Sequence, residues 1–180
     1  MNAVEPIRDM EKVEKVKAYL RNQSERNYIL FFLGVSTGLR ISDILALKVG
    51  DVKGTHLKMK ELKTRKSKKI RLTPQLGRDL RAFVEGKPDH HYVFRSREGS
   101  NKPISRSMAY KILRSAAEKH NLKDIGTHTL RKTFGYHFYH QTKDVAMLQE
   151  IFNHSDPKIT LRYIGVNQDI LDSAMLKFKI

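Results

Sequence analysis

The sequence predicts a mainly α-helical α+β domain that carries one small antiparallel β-sheet. Apolar residues recur at helical spacing on both sides of the middle of the chain. Between Thr55 and Leu72 the pattern changes, and apolar residues roughly alternate with charged ones. No internal repeat and no Pro/Gly/Ser-rich linker divides the chain, so residues 1–180 are expected to form a single domain.

Taken in order, Asp9 can cap a first helix whose apolar residues are Met10, Val13, Val16 and Leu20. Ser24 can cap a second, more buried helix through Tyr28, Ile29, Phe31, Phe32 and Val35, which Gly38 stops. A third helix is expected from Ser42, carrying Ile44, Leu45 and Leu47. The alternating stretch, with Leu57, Met59, Leu62, Ile70 and Leu72, predicts two or three antiparallel strands joined by a turn over 63–68. Beyond Pro74 helical spacing returns over 75–85, 105–120, 129–139 and 145–152, with a short helix around 158–163. The tail over 169–180 carries Ile170, Leu171, Ala174, Met175, Leu176 and Phe178, an apolar set that can dock on its own core or on a neighbouring subunit.

Charge is the unusual property of the composition. Lys and Arg number 35 against 19 Asp and Glu, a formal net charge of +16. A field of that sign favours polyanions, and nucleic acid suits it best. The absence of cysteine excludes a disulfide framework, a Cys-ligated zinc or iron–sulfur site and thiol catalysis. The first residues, with Glu5, Pro6, Arg8 and Asp9, contain no apolar targeting core, and the longest apolar stretch, 28–35, is too short to span a bilayer. A cytoplasmic location without membrane contact is therefore expected.

Four constellations bear on chemistry. From Lys58 to Arg71 eight of fourteen residues are Lys or Arg, with Glu61 the single acid. Lysines also protect sheet edges from aggregation, but a cationic turn repels itself unless a polyanion relieves it. The second is Thr37-Gly38-Leu39-Arg40-Ile41-Ser42-Asp43, where an Arg between two apolar helices could grip two phosphate oxygens or pair with Asp43. The third is His128-Thr129-Leu130-Arg131, whose spacing puts His and Arg on one helical face near the N-terminus. The fourth runs from Phe152 to Tyr163. Asn153 can end a helix in the left-handed conformation, Ser155 or Asp156 can start the next with Pro157 in its first turn, and His154 falls in the corner.

Arg40, a basic hairpin, His128-x-x-Arg131, His154 and Tyr163 follow one another in the order that resembles the catalytic domain of the tyrosine recombinase or phage integrase family. The likeness runs from about Met10 to Ile164 and implies that family's catalytic-domain fold. Two positions depart from its pattern: Asn153 stands where Gly usually precedes the second histidine, and Lys132 where a histidine often follows the box arginine. The resemblance implies a site-specific DNA recombinase or integrase that cleaves and rejoins strands through a 3′-phosphotyrosyl intermediate. Its catalytic residues would be Arg40, Lys63, His128, Arg131, His154 and Tyr163, with Lys66 the alternative for the hairpin lysine.

In that scheme Tyr163 is the nucleophile and the two arginines stabilise the charged phosphorus. By resemblance Lys63 is the general acid, His128 assists proton transfer at the tyrosine and His154 hydrogen-bonds the scissile phosphate. Two guanidiniums do the work of a divalent ion, and no carboxylate cluster is apparent in the sequence, so neither metal nor cofactor is expected. The implied partners are double-stranded DNA and further copies of the chain, a tetramer on DNA, in a bacterial or phage-encoded, nucleoid-associated protein. Arg40 lies too near the first residue for the family's N-terminal core-binding domain to precede it, so that domain is expected to be absent, in a minimal member or a catalytic domain cut from a larger protein. Two alternatives stay open on sequence: a type IB topoisomerase-like enzyme and a non-catalytic DNA-binding protein that retains the fold.

Overall fold

A computed structural model describes residues 4–178, apart from the side chains of residues 167–171 and 174. The chain begins with α1 (Met10–Gln23), α2 (Glu25–Thr37), α3 (Ile41–Ala46) and α4 (Val49–Val52). The hairpin β1 (His56–Lys60) and β2 (Ser67–Arg71) follows, then α5 (Pro74–Val84) and α6 (Arg106–Lys119). The last part holds α7 (Thr129–Thr142), α8 (Val145–Phe152), α9 (Pro157–Ile164) and α10 (Val166–Lys177). This is the expected α+β class, mainly helical with a small antiparallel sheet.

The caps explain where several helices start. The Asp9 carboxylate accepts from the Glu11 N–H at 2.8 Å, Thr73 caps α5 ahead of Pro74, and Ser105 caps α6. Ser24 occupies the N-cap position of α2 without a side-chain cap bond. The third helix starts one residue before the expected Ser42. The Arg40 carbonyl, rather than the Ser42 hydroxyl, takes the first N–H groups, those of Asp43 and Ile44, at 2.9 and 3.0 Å. The short α4 was not legible, because four residues contain no period to read.

Helix α2 is the centre of the main core. It buries Tyr28 through Gly34 and packs on α1, α5 and α7. Contact with α7 is close at Gly34, where a Cβ would lie 2.5 Å from Leu130 Cδ1. Between α5 and α6 the chain is largely irregular, and Val93, Phe94 and Ile104 anchor it in the same core.

Among the described residues the sheet has two strands, not three. Leu57 pairs with Ile70 and Met59 with Lys68, and the connection spans 61–66, starting two residues earlier than expected. That loop closes on itself: Glu61 N–H donates to the Lys66 carbonyl and Arg65 N–H to the Glu61 carbonyl, both at 2.9 Å.

A second, smaller core holds the C-terminal helices. Leu148, Phe152, Ile164 and Val166 are buried there, with Phe134, Tyr136 and Tyr163 packed against them. Gly135 makes this packing possible, since a Cβ there would lie 2.6 Å from Ile164 and 2.8 Å from the Phe152 ring. The apolar tail forms α10 and leaves Met175, Leu176 and Phe178 exposed, Leu176 by 88%. The side chains of Ile170, Leu171 and Ala174, and residues 179–180, lie outside the described part. No described helix is long and apolar enough to cross a membrane.

Candidate active site

The site forms where the two cores meet. Gly38 ends α2 in the left-handed conformation (φ 64°), and a side chain there would collide with Phe134. That turn delivers Arg40 in extended backbone at the start of α3. One Arg40 guanidinium nitrogen lies 3.5 Å from Glu61 Oε1 and 3.9 Å from Asp43 Oδ2, too long or misaligned to be a hydrogen bond. The Asp43 pairing weighed from the sequence is therefore the weaker of two contacts. Asp43 instead uses its other oxygen to accept the Leu62 N–H at 2.9 Å, which fixes the start of the hairpin loop.

Arg131, on α7, is only 3% exposed. It donates to the Gly38 carbonyl at 2.6 Å and to the Phe152 carbonyl at 2.9 Å, and its guanidinium sits 4.1 Å from the centre of the Phe152 ring. These contacts tie the ends of α2 and α8 together. Burial, then the neighbouring Arg40 charge, lowers the Arg131 pKa to about 10, which leaves it charged at neutral pH.

Tyr163 projects from α9 against this arginine cluster. Its ring meets Phe152 and His154 edge-on, with centroids 5.7 and 5.4 Å away, and Lys132 Nζ lies 5.3 Å from the ring centre. Tyr163 Oη is 3.2 Å from Nδ1 of His128, the residue that starts α7. Burial pushes the phenol above its ordinary pKa of 10.0, although Arg131 and Arg40 pull the other way, so it is protonated at neutral pH. Burial and the charges of Arg106, Arg131, Lys132 and Arg40 push His128 below the ordinary 6.5. The pair is thus a neutral phenol facing a neutral imidazole, which in the tautomer protonated on Nε2 accepts the phenol's hydrogen and can take the proton from an attacking oxygen.

His154 follows Asn153, which ends α8 in the left-handed conformation (φ 52°). Its Nδ1 lies 3.0 Å from Thr160 Oγ1, and its N–H donates to the Gln149 carbonyl at 3.0 Å. It is also held below the usual histidine range, by burial and then by Arg131 and Arg40. Of the two residues considered for starting the next helix, Asp156 does so, accepting from the Lys158 N–H at 2.6 Å.

The structure therefore brings Arg40, His128, Arg131, His154 and Tyr163 to one place. Lys63 and the alternative Lys66 are not brought there; both are exposed in the 61–66 loop. The lysine inside the cluster is Lys68, which sequence reasoning passed over. Its ammonium donates to Glu61 Oε1 at 3.1 Å and to the Ile151 carbonyl at 2.6 Å. The signal that could have found it is the two-residue period of β2, which puts Lys68 on the same inward face as Ile70. Glu61, fully buried, was also passed over as a site residue. Lys58, Lys60, Lys63, Arg65, Lys66, Lys69 and Arg71 form an exposed cationic surface beside the cluster.

Comparison with known proteins gives a consistent result. A family model described as the phage integrase family matches residues 8–169. The chain is 49% identical to the probable integrase/recombinase YoeC of Bacillus subtilis (strain 168), covering 99% of this chain and 98% of that protein. It is 29% identical to tyrosine recombinase XerD of Halalkalibacterium halodurans, over 87% of this chain and 56% of that protein. Against a XerD of Corynebacterium glutamicum the figures are 33% identity, 81% and 50%, so the chain spans about half the length of these two relatives. Among solved structures, XerA recombinase superposes with a TM-score of 0.78 at 16% identity, covering 99% of this chain and 66% of that one. XerH bound to a palindromic difH substrate, a post-cleavage complex, gives 0.72 at 20% identity, with 96% and 52% covered. At these identities the two structures establish the shared fold.

Proposed function

The chain belongs to the phage integrase family, and from that premise we propose that it is a site-specific tyrosine recombinase in which Tyr163 breaks and rejoins DNA. The reading is carried by one contact above all: Tyr163 Oη lies 3.2 Å from a neutral histidine, beside the buried guanidinium of Arg131. A phenol so placed has an acceptor for its proton and a cation for the charge that develops on phosphorus.

In the proposed reaction Tyr163 Oη attacks the scissile phosphorus and its proton passes to His128. The new O–P bond forms as the bond to the 5′-oxygen breaks, leaving a 3′-phosphotyrosyl link and a free 5′-hydroxyl. Arg40 and Arg131 share the non-bridging oxygens, and His154 hydrogen-bonds one of them. The departing oxygen needs a proton, and Lys63 supplies it when the exposed loop closes over the duplex. Attack by a 5′-hydroxyl from another strand reverses every step and completes exchange. The basic hairpin face holds the DNA backbone, so binding weakens steeply with salt. Assembly on DNA places several copies side by side, a tetramer for a complete exchange, and the exposed apolar end of α10 is the surface offered to a neighbour. Such an enzyme works where chromosomal or phage DNA lies, in the cytoplasm.

The test is a duplex carrying a nick just past the scissile phosphate, so that the short 5′-hydroxyl fragment diffuses away and traps the covalent complex. A protein–DNA adduct is expected on the 3′ side of the break, and in excess EDTA as well, because two guanidiniums supply the charge neutralisation. A nicked product without covalent protein would contradict the proposal.

The pH dependence follows from the direction of the histidine shifts. His128 accepts a proton only when neutral, and its pKa lies below 6.5. The single-turnover rate of adduct formation should therefore rise with pH over the acidic interval below 6.5 and be level at neutral pH. A rate that falls over that interval would show that a protonated histidine is needed instead.

A further inference from the structure

Glu61 is the only acid of the basic hairpin and is completely buried. Its carboxylate meets four side chains from three parts of the site. Oε1 accepts from Lys68 at 3.1 Å and faces Arg40 at 3.5 Å, while Oε2 accepts from Thr64 at 2.6 Å and from the Asn153 amide at 3.1 Å. Lys68 in turn donates to the Ile151 carbonyl near the end of α8. One carboxylate thus links the loop that carries Lys63, the arginine before α3, and the turn that presents His154.

We infer that Glu61 is a positioning residue: it latches the catalytic hairpin to the His154 turn through Asn153 and Lys68, and holds Arg40 for the incoming phosphate. The inference rests on the recombinase reading above. It also gives the unusual Asn153 a purpose. A glycine would adopt the same left-handed turn but could not reach Glu61, so in this chain the side chain adds a tether between the hairpin and the His154 turn.

The charge balance supports the role. Arg40, Arg131 and Lys68 crowd together: burial lowers the Lys68 pKa, Glu61 pulls the other way, and Arg131 and Arg40 lower it further. Burial favours the neutral form of Glu61, but Thr64, Lys68 and Arg40 outweigh it and keep it ionised below the usual range. Counted by formal charge, the three cations face the two carboxylates of Asp43 and Glu61, an excess of one positive charge that a phosphodiester monoanion neutralises. The carboxylate therefore keeps the cations assembled before DNA arrives, and the phosphate completes the network when it does.

Two variants test the latch. Glu61→Gln keeps the shape and removes the charge, and Asn153→Gly keeps the backbone conformation and removes only the tether. In the DNA-free protein, amide hydrogen exchange over 61–68 should speed up by about tenfold in both variants, while exchange in α2 stays unchanged. At saturating nicked DNA, the adduct-forming rate constant should fall by about tenfold or more, with the DNA dissociation constant within about threefold of wild type. Wild-type exchange in the hairpin of both variants would overturn the inference, as would weaker DNA binding with an unchanged rate constant. If the wild-type protein forms no adduct, the recombinase reading fails, and the exchange result alone then decides whether the latch exists.

Discussion

Tyr163→Phe is expected to bind DNA as the wild type does and to form no covalent adduct on a nicked substrate. The phenol oxygen is the only atom removed. Its partner in the free protein is His128 Nδ1 at 3.2 Å, and losing one such hydrogen bond costs about 1 kcal/mol of stability. The ring keeps its packing against Phe152 and His154, so the second core should survive. An electrophoretic mobility shift and a denaturing gel on the same samples separate the two effects. An adduct persisting in the phenylalanine variant would assign the nucleophile to another residue.

Substitution of Arg131 should have the next largest effect, and it should act on two quantities at once. Losing a fixed donor to the transition state costs about 3 kcal/mol, a fall of roughly a hundredfold or more in rate, by analogy with one oxyanion-hole donor. Arg131→Ala also strips the Gly38 and Phe152 carbonyls of their donors, at about 1–3 kcal/mol for each buried group left unsatisfied. Stability loss alone could then mimic a catalytic defect. Arg131→Lys separates them: the ammonium keeps a charge and can satisfy one carbonyl, but it cannot hold both carbonyls and fork onto a phosphate. Its melting temperature should recover most of the loss seen in Arg131→Ala, whereas its single-turnover rate should remain at least about tenfold below wild type. A lysine variant that reacts at the wild-type rate would show that the charge matters and the fork does not.

Much of the fold could be read because local chemistry decides it. Asp9, Gly38 and Pro157 punctuate helices by capping, by left-handed backbone and by a fixed φ, and none of these depends on distant residues. The start of α3 was misplaced because Ser42 is a good cap by type, while the backbone carbonyl of Arg40 made the bonds. The site was legible as an ordered set of motifs, through resemblance, but its geometry was not. Arg131 is held by Gly38 and Phe152, partners 93 and 21 positions away, and no spacing rule predicts a contact between a guanidinium and two helix-end carbonyls. Lys68 was hidden among equally charged neighbours. In the run from Lys58 to Arg71, charge counting treats every lysine alike; the alternation of faces in β2 turns Lys68 inward and Lys69 outward, while Lys66 stays in solvent because it lies in the loop before the strand. Glu61 was hidden for the converse reason, since a lone acid in a basic hairpin looks like surface until its burial is seen.

The most direct test of the account is to locate the covalent bond. The adduct formed on nicked DNA can be digested with nuclease and trypsin and the nucleotide-bearing peptide sequenced by mass spectrometry. The account predicts a phosphodiester remnant on the phenol oxygen of Tyr163, joined to the 3′ end of the cleaved strand. A remnant on any other side chain, or one joined to a 5′ end, would contradict it.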